Sequence, residues 1–396
     1  MTATATELAR PAQLPGRIPV RGIADIEDGH GYLRTAGYRR SPADIPLPAA
    51  LVRQYGVRRG DTIEGAATQA TATQATGTPA ATGRRGKNGT AATLMDITSV
   101  SGLTPGAARK RPAFDELTPL YPSERLRLED GDTSPTARII DLLAPIGKGQ
   151  RGLIVAPPKA GKTMILKTIA HAVATAHPEV HLMLVLVGER PEEVTDLRRT
   201  VRGEVISSTF DESPADHVRA AELAIERAKR LAEAGGDVVV LLDSLTRLGR
   251  AYNLAAPASS RTLTGGVAAA AVQPPRQFLG AARNLEEGGS VTIVSTALID
   301  TGSQLDNVLF EEFKGTGNME LRLRRDLAER RLFPAIDPAP SGTRRDDLLM
   351  DPAEHAAVTS LRRALAALDP QHAVELLLDK TRQPTAQFLR QVQAAR

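Results

Sequence analysis

The segment APPKAGKT at residues 156–163 constrains the fold of this chain more than any other feature. It directly follows the apolar run 153–155. A turn of this kind between a strand and a helix presents backbone N–H groups to phosphate oxygens, at the positive end of the helix dipole. In such a loop Lys162 reaches the β- and γ-phosphates and the Thr163 hydroxyl binds Mg²⁺. The strict pattern begins with glycine, whereas this chain has Ala156, so a plain turn is the alternative interpretation.

Further apolar runs place this loop in an α/β fold. Four of them have the length and composition of buried parallel strands: 153–155, 182–187, 238–242 and 291–295. Between them, Ser213 at an N-cap, Pro214 at the first helical position and Asp216 at the third mark the start of a helix. This helix is predicted to run to about Ala234, before a Gly-Gly pair. Strands that alternate with helices predict a mostly parallel sheet covered on both faces.

Two carboxylates follow these predicted strands on the side of the phosphate loop. Asp243 ends the run 238–242, where the Mg²⁺ shell needs a negative charge. Glu189 follows the run 182–187, where a carboxylate can orient or deprotonate the attacking water. The alternatives are a helix cap or turn for Asp243 and a surface carboxylate for Glu189.

The first part of the chain has a different pattern. Residues 1–21 are rich in Ala, Thr and Pro and are predicted to be a disordered tail. Short apolar stretches between turn signals predict a small β-barrel over 22–102, interrupted by a low-complexity insertion at 66–92. A connector at 103–130 then leads to the α/β domain at 131–396.

Composition limits the possible partners. The net charge of +4 and the isoelectric point near 9.4 favour a polyanion, while aromatic residues make up only 3% of the chain and leave few platforms for base stacking. The absence of cysteine excludes disulfides and thiolate metal sites. The N-terminus lacks the pattern of a signal peptide and no apolar run reaches 18 residues, so we expect a cytoplasmic protein without a membrane span.

Five segments together resemble the Rho transcription termination factor family. They agree with it in order and spacing as well as content: 150–163, 189–194, 243–247, 263–267 and 311–321. The resemblance is continuous from about Phe114 onwards and weaker from Gly22 to about Gly65, as in a divergent member with a short N-terminus. The catalytic subunit of ATP synthase shares the fold and the Gly-Glu-Arg element, but not 156–159 or 311–321.

The resemblance implies a homohexameric RecA/F1-like RNA helicase that uses ATP and Mg²⁺ and draws single-stranded RNA through its centre, 5′ to 3′. The expected fold is an OB/cold-shock-like β-barrel followed by a RecA-like P-loop ATPase domain with a mostly parallel sheet. The expected partners are the nascent transcript, further copies of the chain and RNA polymerase.

The resemblance also assigns nucleotide-site residues. The catalytic set is Lys162, Glu189, Arg190 and Arg344, with Arg344 as the arginine finger that a neighbouring subunit points at the γ-phosphate. Nucleotide contacts are implied for Lys159, Ala160, Gly161, Lys162, Thr163, Met164 and Phe333, and Mg²⁺ contacts for Thr163 and Asp243. Phe333 matches an aromatic that stacks on adenine, although the residue pattern alone favours an ordinary core aromatic. Arg331 matches a further interface position.

RNA contacts are implied in two loops of the second domain. The first loop contains Arg261, Thr264, Gly265 and Gly266, and the second contains Gly302 and Gln304. The family typically has Lys at the positions of Arg261 and Gln304. The first exchange keeps the charge, whereas the second removes one positive charge per subunit.

The expected outer RNA site, in the first domain, departs further from the family. His30, Tyr32 and Arg34 lie in GHGYLR at 29–34, where a Gly-Phe-Gly-Phe-Leu-Arg stacking strand is usual. Stacking contributes about 1–3 kcal/mol per base, so we expect weak outer binding that depends on phosphate contacts. The basic segment 84–87 either assists through such contacts or is a solvated linker. Gly188 stands where most relatives have Asp, beside the pocket that holds the family's inhibitor bicyclomycin.

These features lead to one functional prediction and two alternatives. The prediction is an ATP-dependent RNA translocase and RNA–DNA helicase that binds nascent RNA and terminates transcription. The first alternative is a Rho-like ring subunit with weak turnover that modulates another termination factor; Gln304, Gly188 and the altered outer site favour it. The second, a protein-export or rotary ATPase, lacks support from the segment 311–321.

Overall fold

The computed structural model describes residues 17–27, 29–69, 92–257, 262 and 266–394. The chain divides after Arg111 into two compact units, and each unit has its own hydrophobic core.

The first unit is an antiparallel, OB-like half-barrel, which confirms the fold predicted for this region. Its strands and helices are β1 Arg17–Glu27, β2 His30–Arg34, β3 Ile45–Leu47, α1 Ala49–Tyr55, β4 Thr62–Gln69, β5 Ala92–Val100 and α2 Pro105–Lys110. The strand order is β3-β2-β1-β4-β5. Strand β1 pairs with β4 over its first half and with β2 over its second. At the change of partner, a Cβ on Gly22 would lie 2.5 Å from the Arg34 carbonyl oxygen, so only glycine fits.

Two predicted boundaries in this unit are wrong, for one reason. Residues 17–21, assigned to a disordered tail, are the start of β1, and residues 66–69, assigned to the insertion, are the end of β4. These two segments pair with each other, from Arg17 opposite Thr68 to Arg21 opposite Glu64. Low-complexity composition predicted disorder for each segment separately, whereas the ladder of backbone hydrogen bonds orders them together. Residues 70–91 lie outside the described part of the chain.

The predicted connector at 103–130 is divided between the two units. Helix α2 packs Ala108 into the core of the first unit, whereas Phe114, Leu126 and Leu128 are buried in the second. The connector is therefore partly packed through these large apolar side chains, while Leu120 and Tyr121 within it are exposed.

The second unit has the predicted RecA-like architecture. Its elements are β6 Pro119–Leu120, α3 Pro135–Leu143, β7 Arg151–Ala156, α4 Lys162–Ala176, β8 His181–Glu189, α5 Pro191–Thr200, β9 Glu204–Thr209, α6 Pro214–Glu233, β10 Asp237–Asp243, α7 Leu245–Ala255, α8 Ala269–Gly280, β11 Arg283–Leu285, β12 Ser290–Leu298, α9 Gln304–Lys314, β13 Met319–Arg322, α10 Arg325–Glu329, β14 Gly342–Thr343, α11 Pro352–Ala366, α12 Pro370–Lys380 and α13 Thr385–Ala394. The four predicted strands correspond to β7, β8, β10 and β12. Helix α6 starts at the predicted cap, where the Ser213 hydroxyl accepts the Asp216 N–H, and Gly235 follows it with φ +84°.

The sheet order positions the candidate site. The strands run β14-β13-β7-β12-β10-β8-β9, and β13, β7, β12, β10, β8 and β9 are mutually parallel. Their carboxyl ends therefore share one edge. The phosphate loop leaves β7 at that edge, Asp243 ends β10 and Glu189 ends β8. Ligands of open parallel sheets bind at this edge.

Candidate functional site

The phosphate loop joins the buried strand β7 to helix α4. Lys159 and Gly161 have positive φ angles of 65° and 91°, which turn the chain back towards the helix. The N-cap of α4 is Gly161, and within the described part of the chain no side chain caps this helix. The N–H groups of Lys162 and Thr163 at its start are therefore available to an external acceptor, and phosphate oxygens are suited to that position.

Lys162 joins the two carboxylates predicted from separate strands. Its Nζ lies 3.2 Å from Glu189 Oε1 and also contacts Asp243 Oδ1, while the Thr296 hydroxyl donates to the same Asp243 oxygen at 2.8 Å. Both carboxylates are buried, at 3% and 2% exposure. The structure therefore brings together three residues that the sequence places 81 positions apart at most.

Burial raises the pKa of the Glu189 carboxyl, and the nearby Asp243 charge raises it further. Lys162 and Arg247 oppose this rise; the Arg247 guanidinium lies 3.0 Å from Glu189 Oε1 and donates to the Gly188 carbonyl. A carboxylate in this setting is a better proton acceptor than one in water.

The donor set fits Mg²⁺. Thr163 provides a hydroxyl in the first turn of α4, and Asp243 provides buried carboxylate oxygens, one of which contacts the adjacent Lys162. No group of three or more His, Cys, Asp and Glu side chains forms a metal cage among the described residues. A Mg²⁺ ion that also binds nucleotide phosphates and water needs only one or two ligands from the protein.

Phe333 lies against the phosphate loop. A Cβ built on Gly161 would meet the Phe333 ring at 3.3 Å, and the ring is only partly buried. Phe333 also packs with Leu327 and Val374, so it belongs to a small apolar cluster as well as to the site. Of the remaining predicted nucleotide contacts, Lys159 and Met164 are exposed and Ala160 is buried.

Arg344 lies at the opposite end of the sheet from the loop. Its backbone N–H donates to the Asn318 carbonyl, which is level with Arg151 at the start of β7. Strand β7 then runs to Ala156 before the loop begins, and its five residue steps span roughly 17 Å. Arg344 is exposed and makes no ion pair with any described residue. Arg190 and Arg331 are also exposed.

The predicted outer-site residues line one cavity of about 480 Å³ in the first unit. His30 and Tyr32 are exposed at its mouth, and the Arg34 guanidinium lies 5.4 Å from the centre of the Tyr32 ring. Arg34 itself is buried and pairs with Asp25 and Asp44, each at 2.5 Å. The Arg34 charge is therefore compensated within the protein, and the Arg34 side chain forms part of the cavity wall.

The predicted central loops are described in part. Arg261, Thr264 and Gly265 lie outside the described residues. Gly266 is exposed, and Asn253 of α7 holds the segment behind it by accepting the Ala268 N–H at 2.6 Å. Gly302 and Gln304 are exposed at the start of α9.

Comparison with known proteins agrees with this geometry. The model of the Rho termination factor RNA-binding domain matches residues 20–106, and that of the ATP synthase alpha/beta family nucleotide-binding domain matches residues 136–343. The transcription termination factor Rho of Streptosporangium roseum is 56% identical over 375 residues, which cover 94% of this chain and 92% of that protein. The chain belongs to the Rho family.

Other Rho proteins are longer. That of Streptomyces lividans is 58% identical over 95% of this chain, and that of Mycobacterium tuberculosis is 56% identical over 92%. This chain spans 52% and 59% of their lengths. An ATPase from the type III secretion system of pathogenic bacteria matches in fold, with a TM-score of 0.59 and 23% identity over 70% of this chain and 87% of its own. Among the described helices, none has the length and apolarity to cross a membrane.

Sequence reasoning missed two residues of the candidate site. Arg247 contacts Glu189, and Thr296 contacts Asp243. Arg247 lies in the family segment 243–247 and one turn into α7, so its position was a usable signal. Thr296 is a polar residue inside the apolar strand β12, where a buried hydroxyl requires a partner.

Proposed function

We propose that this Rho-family chain is an RNA-dependent ATPase that moves 5′ to 3′ along single-stranded nascent RNA as a homohexameric ring, unwinds RNA–DNA hybrids and terminates transcription by RNA polymerase. The observation that carries this proposal is the buried Lys162–Glu189–Asp243 cluster at the phosphate loop of a chain that also has a Rho RNA-binding domain.

In this proposal the loop binds the triphosphate of ATP. The N–H groups at the end of the loop and the start of α4, together with the Lys162 ammonium, hold the phosphates, and the Phe333 ring beside Gly161 receives the adenine. Thr163 and Asp243 would hold Mg²⁺, which neutralises phosphate charge when bound. Without nucleotide, Lys162 compensates the two buried carboxylates that would otherwise repel each other.

Glu189 activates the water. It accepts a proton from the water while the oxygen forms a bond to the γ-phosphorus and the bond to the ADP oxygen breaks. Arg247 holds the Glu189 carboxylate at the end of β8, and Arg344 of a neighbouring subunit stabilises the charge of the transferring phosphoryl group.

The test is ATP turnover by the purified chain with and without poly(C) RNA. Stimulation by RNA supports the proposal, whereas a ring that binds RNA without appreciable turnover supports the modulating subunit instead. Gln304 and Gly188 are the observations that favour that second candidate.

The outer site gives a first prediction. We expect His30→Phe to tighten outer RNA binding by about 1 kcal/mol or more, because a phenyl ring at the exposed mouth adds a stacking platform next to Tyr32. Wild-type affinity should fall steeply with salt, since phosphate contacts release counterions. Binding of pyrimidine-rich RNA at two salt concentrations measures both effects. Tight, salt-insensitive binding by the wild type would contradict the expected weakness of this site.

Gln304→Lys serves as the contrasting variant. Gln304 is exposed in the second unit, so a lysine there should raise maximal RNA-stimulated turnover and leave first binding unchanged. His30→Phe should instead lower the RNA concentration for half-stimulation. The two variants must differ in this way if outer and central sites are separate.

A second prediction concerns Gly188. It has φ +65°, which Asp tolerates better than most residues, and a Cβ there would lie 3.4 Å from Arg247 Cδ and 3.9 Å from His217 Nε2. We expect Gly188→Asp to increase sensitivity to bicyclomycin by roughly 1–3 kcal/mol of binding free energy, because the carboxylate offers acceptors that glycine lacks. Inhibition curves of the ATPase compare the two forms, with Gly188→Ala as the control for backbone strain. Equal inhibition of the wild type and the Gly188→Asp variant by bicyclomycin would contradict this prediction.

A further inference from the structure

Three arginines lie together at the end of the sheet opposite the phosphate loop. Arg344 follows β14, and its N–H donates to the Asn318 carbonyl at 2.8 Å. The Asn318 side-chain Oδ1 accepts the Arg151 N–H at 2.8 Å. Arg283 begins β11 directly after Ala282, whose carbonyl accepts a hydrogen bond from Arg151 Nη1 at 3.1 Å. Hydrogen bonds of the backbone and of the Asn318 and Arg151 side chains thus place all three residues next to one another.

None of the three arginines has a carboxylate partner among the described residues. Arg151 is partly buried, and its side chain donates only to the carbonyls of Thr316 and Ala282. Arg283 donates to the Gly280 carbonyl and lies 4.7 Å from the centre of the Phe114 ring. Burial lowers the pKa of Arg151, and the charges of Arg283 and then Arg344 lower it further.

Three other enclosed arginines of this unit pair with carboxylates, whereas Arg362, like Arg151, donates to backbone carbonyls. Arg125 pairs with Glu354 at 2.8 Å, Arg138 with Glu129 at 2.8 Å and Arg230 with Glu233 at 2.9 Å. A cluster of guanidinium groups without counter-charges destabilises an isolated subunit, because the cations repel each other and lose part of their hydration. An anion that docks between them removes this cost.

We propose that Arg151 and Arg283 complete, with Arg344, a receptor for the triphosphate bound to a neighbouring copy of this chain; this inference rests on the proposed ring. Phosphate suits the receptor because the planar guanidinium matches phosphoryl oxygens. Arg344 contacts the phosphate. Arg151 and Arg283 are positioning residues: their charges keep Arg344 from folding back onto its own subunit and add to the positive potential that meets the neighbour's nucleotide.

The receptor makes contact between subunits sensitive to the nucleotide. A triphosphate carries more negative charge than a diphosphate, so it compensates the three arginines more fully. The interface therefore tightens when the neighbour holds ATP and loosens after hydrolysis and phosphate release.

The test compares Arg283→Gln, Arg283→Lys and Arg151→Gln with the control Arg322→Gln in the full chain. Arg322 lies on β13 and is already paired with Glu320 at 2.8 Å. We expect each receptor Gln variant to lower RNA-stimulated kcat about tenfold, with little change in the control. Arg283→Lys keeps the charge and should retain most of the turnover. Mixing either Gln variant with Lys162→Ala subunits should restore activity, because the receptor acts on the neighbour's nucleotide.

A second readout measures ring dissociation by sedimentation velocity with a non-hydrolysable ATP analogue and with ADP. The wild-type ring should hold together better with the analogue, and the Gln variants should lose this difference. Thermal unfolding checks the fold. Arg283→Gln removes one carbonyl hydrogen bond and the contact with the Phe114 ring, fewer interactions than the partly buried Arg151 side chain makes with its two carbonyls and its surroundings, and so remains informative if Arg151→Gln is unstable.

Three outcomes overturn the inference. The first is a lack of rescue in mixed rings. The second is a Gln variant that needs more RNA for half-stimulation at unchanged kcat, which would make the cluster an RNA contact. The third is wild-type turnover in both Gln variants. If Arg344→Ala is inactive while both Gln variants match the wild type, only this inference fails. If the wild type shows no RNA-dependent turnover, the proposed function fails first.

Discussion

Lys162→Ala should abolish ATP turnover by removing nucleotide binding, whereas Glu189→Gln should bind ATP normally and fail to cleave it. The first change removes the cation for the phosphates. The second removes the carboxylate that accepts the proton of the water and leaves Lys162 in place. We expect Glu189→Gln to lose about 10²–10⁴-fold in rate, the usual contribution of a positioned base. Equilibrium binding of a fluorescent ATP analogue and steady-state turnover separate the two effects.

Structure also predicts the side effects of these changes. Lys162→Ala leaves two buried carboxylates without their shared ammonium, so we expect a loss of about 1–3 kcal/mol in stability. Glu189 would still pair with Arg247, and Asp243 would still accept the hydrogen bond from Thr296, so the loss of stability is limited. Lys167→Ala, on the same helix but paired with Asp196 at the surface, is the control for the lysine. More than a tenth of the turnover left in Glu189→Gln would show that another group acts as the base.

Arg344→Ala should reduce turnover about 10³–10⁵-fold, as expected for an arginine finger, and the loss should fall on the nucleotide of the neighbouring subunit that receives the finger. The residue lies at the start of β13 and β7, whereas the phosphate loop of its own subunit follows the far end of β7. Mixed rings of Arg344→Ala and Lys162→Ala subunits combine an intact loop from one with an intact arginine from the other. We expect activity to return at those hybrid interfaces, measured as ATPase rate against mixing ratio.

Arg345→Ala is the matched control for Arg344. Arg345 is the next residue and equally exposed, but it pairs with Asp347 at 3.0 Å and is held over the Tyr121 ring. It should retain near-normal turnover. An absence of rescue in rings shown to be mixed would mean that Arg344 acts on its own subunit or only supports the fold.

The local pattern of apolar residues and helix caps was enough to predict the fold of the α/β unit. Strands β7, β8, β10 and β12 are apolar along their length because both faces of the sheet are covered, and this signal does not depend on distant residues. The same holds for helix α6, which a serine cap and a Gly-Gly stop mark at its two ends. The phosphate-loop pattern and the positions of acidic residues at strand ends then named Lys162, Glu189 and Asp243 individually, and the family resemblance assigned them the same roles.

Pairing between distant segments could not be predicted from local sequence patterns. The match of 17–21 with 64–68 in the first unit could not be seen, because each segment alone is short, polar and low in complexity. The burial of Arg34 between Asp25 and Asp44 was equally hidden, since a basic residue in an RNA-binding strand normally faces solvent.

What the sequence alone determined is the set of chemical groups: a phosphate loop, two carboxylates at strand ends and an arginine far along the chain. Tertiary structure decided which of these groups meet. Parallel strands bring Lys162, Glu189 and Asp243 to one edge, and the same strand direction puts Arg344 with Arg151 and Arg283 at the other. The physical reason is that strand order and direction come from long-range hydrogen bonding and burial, which no single segment encodes.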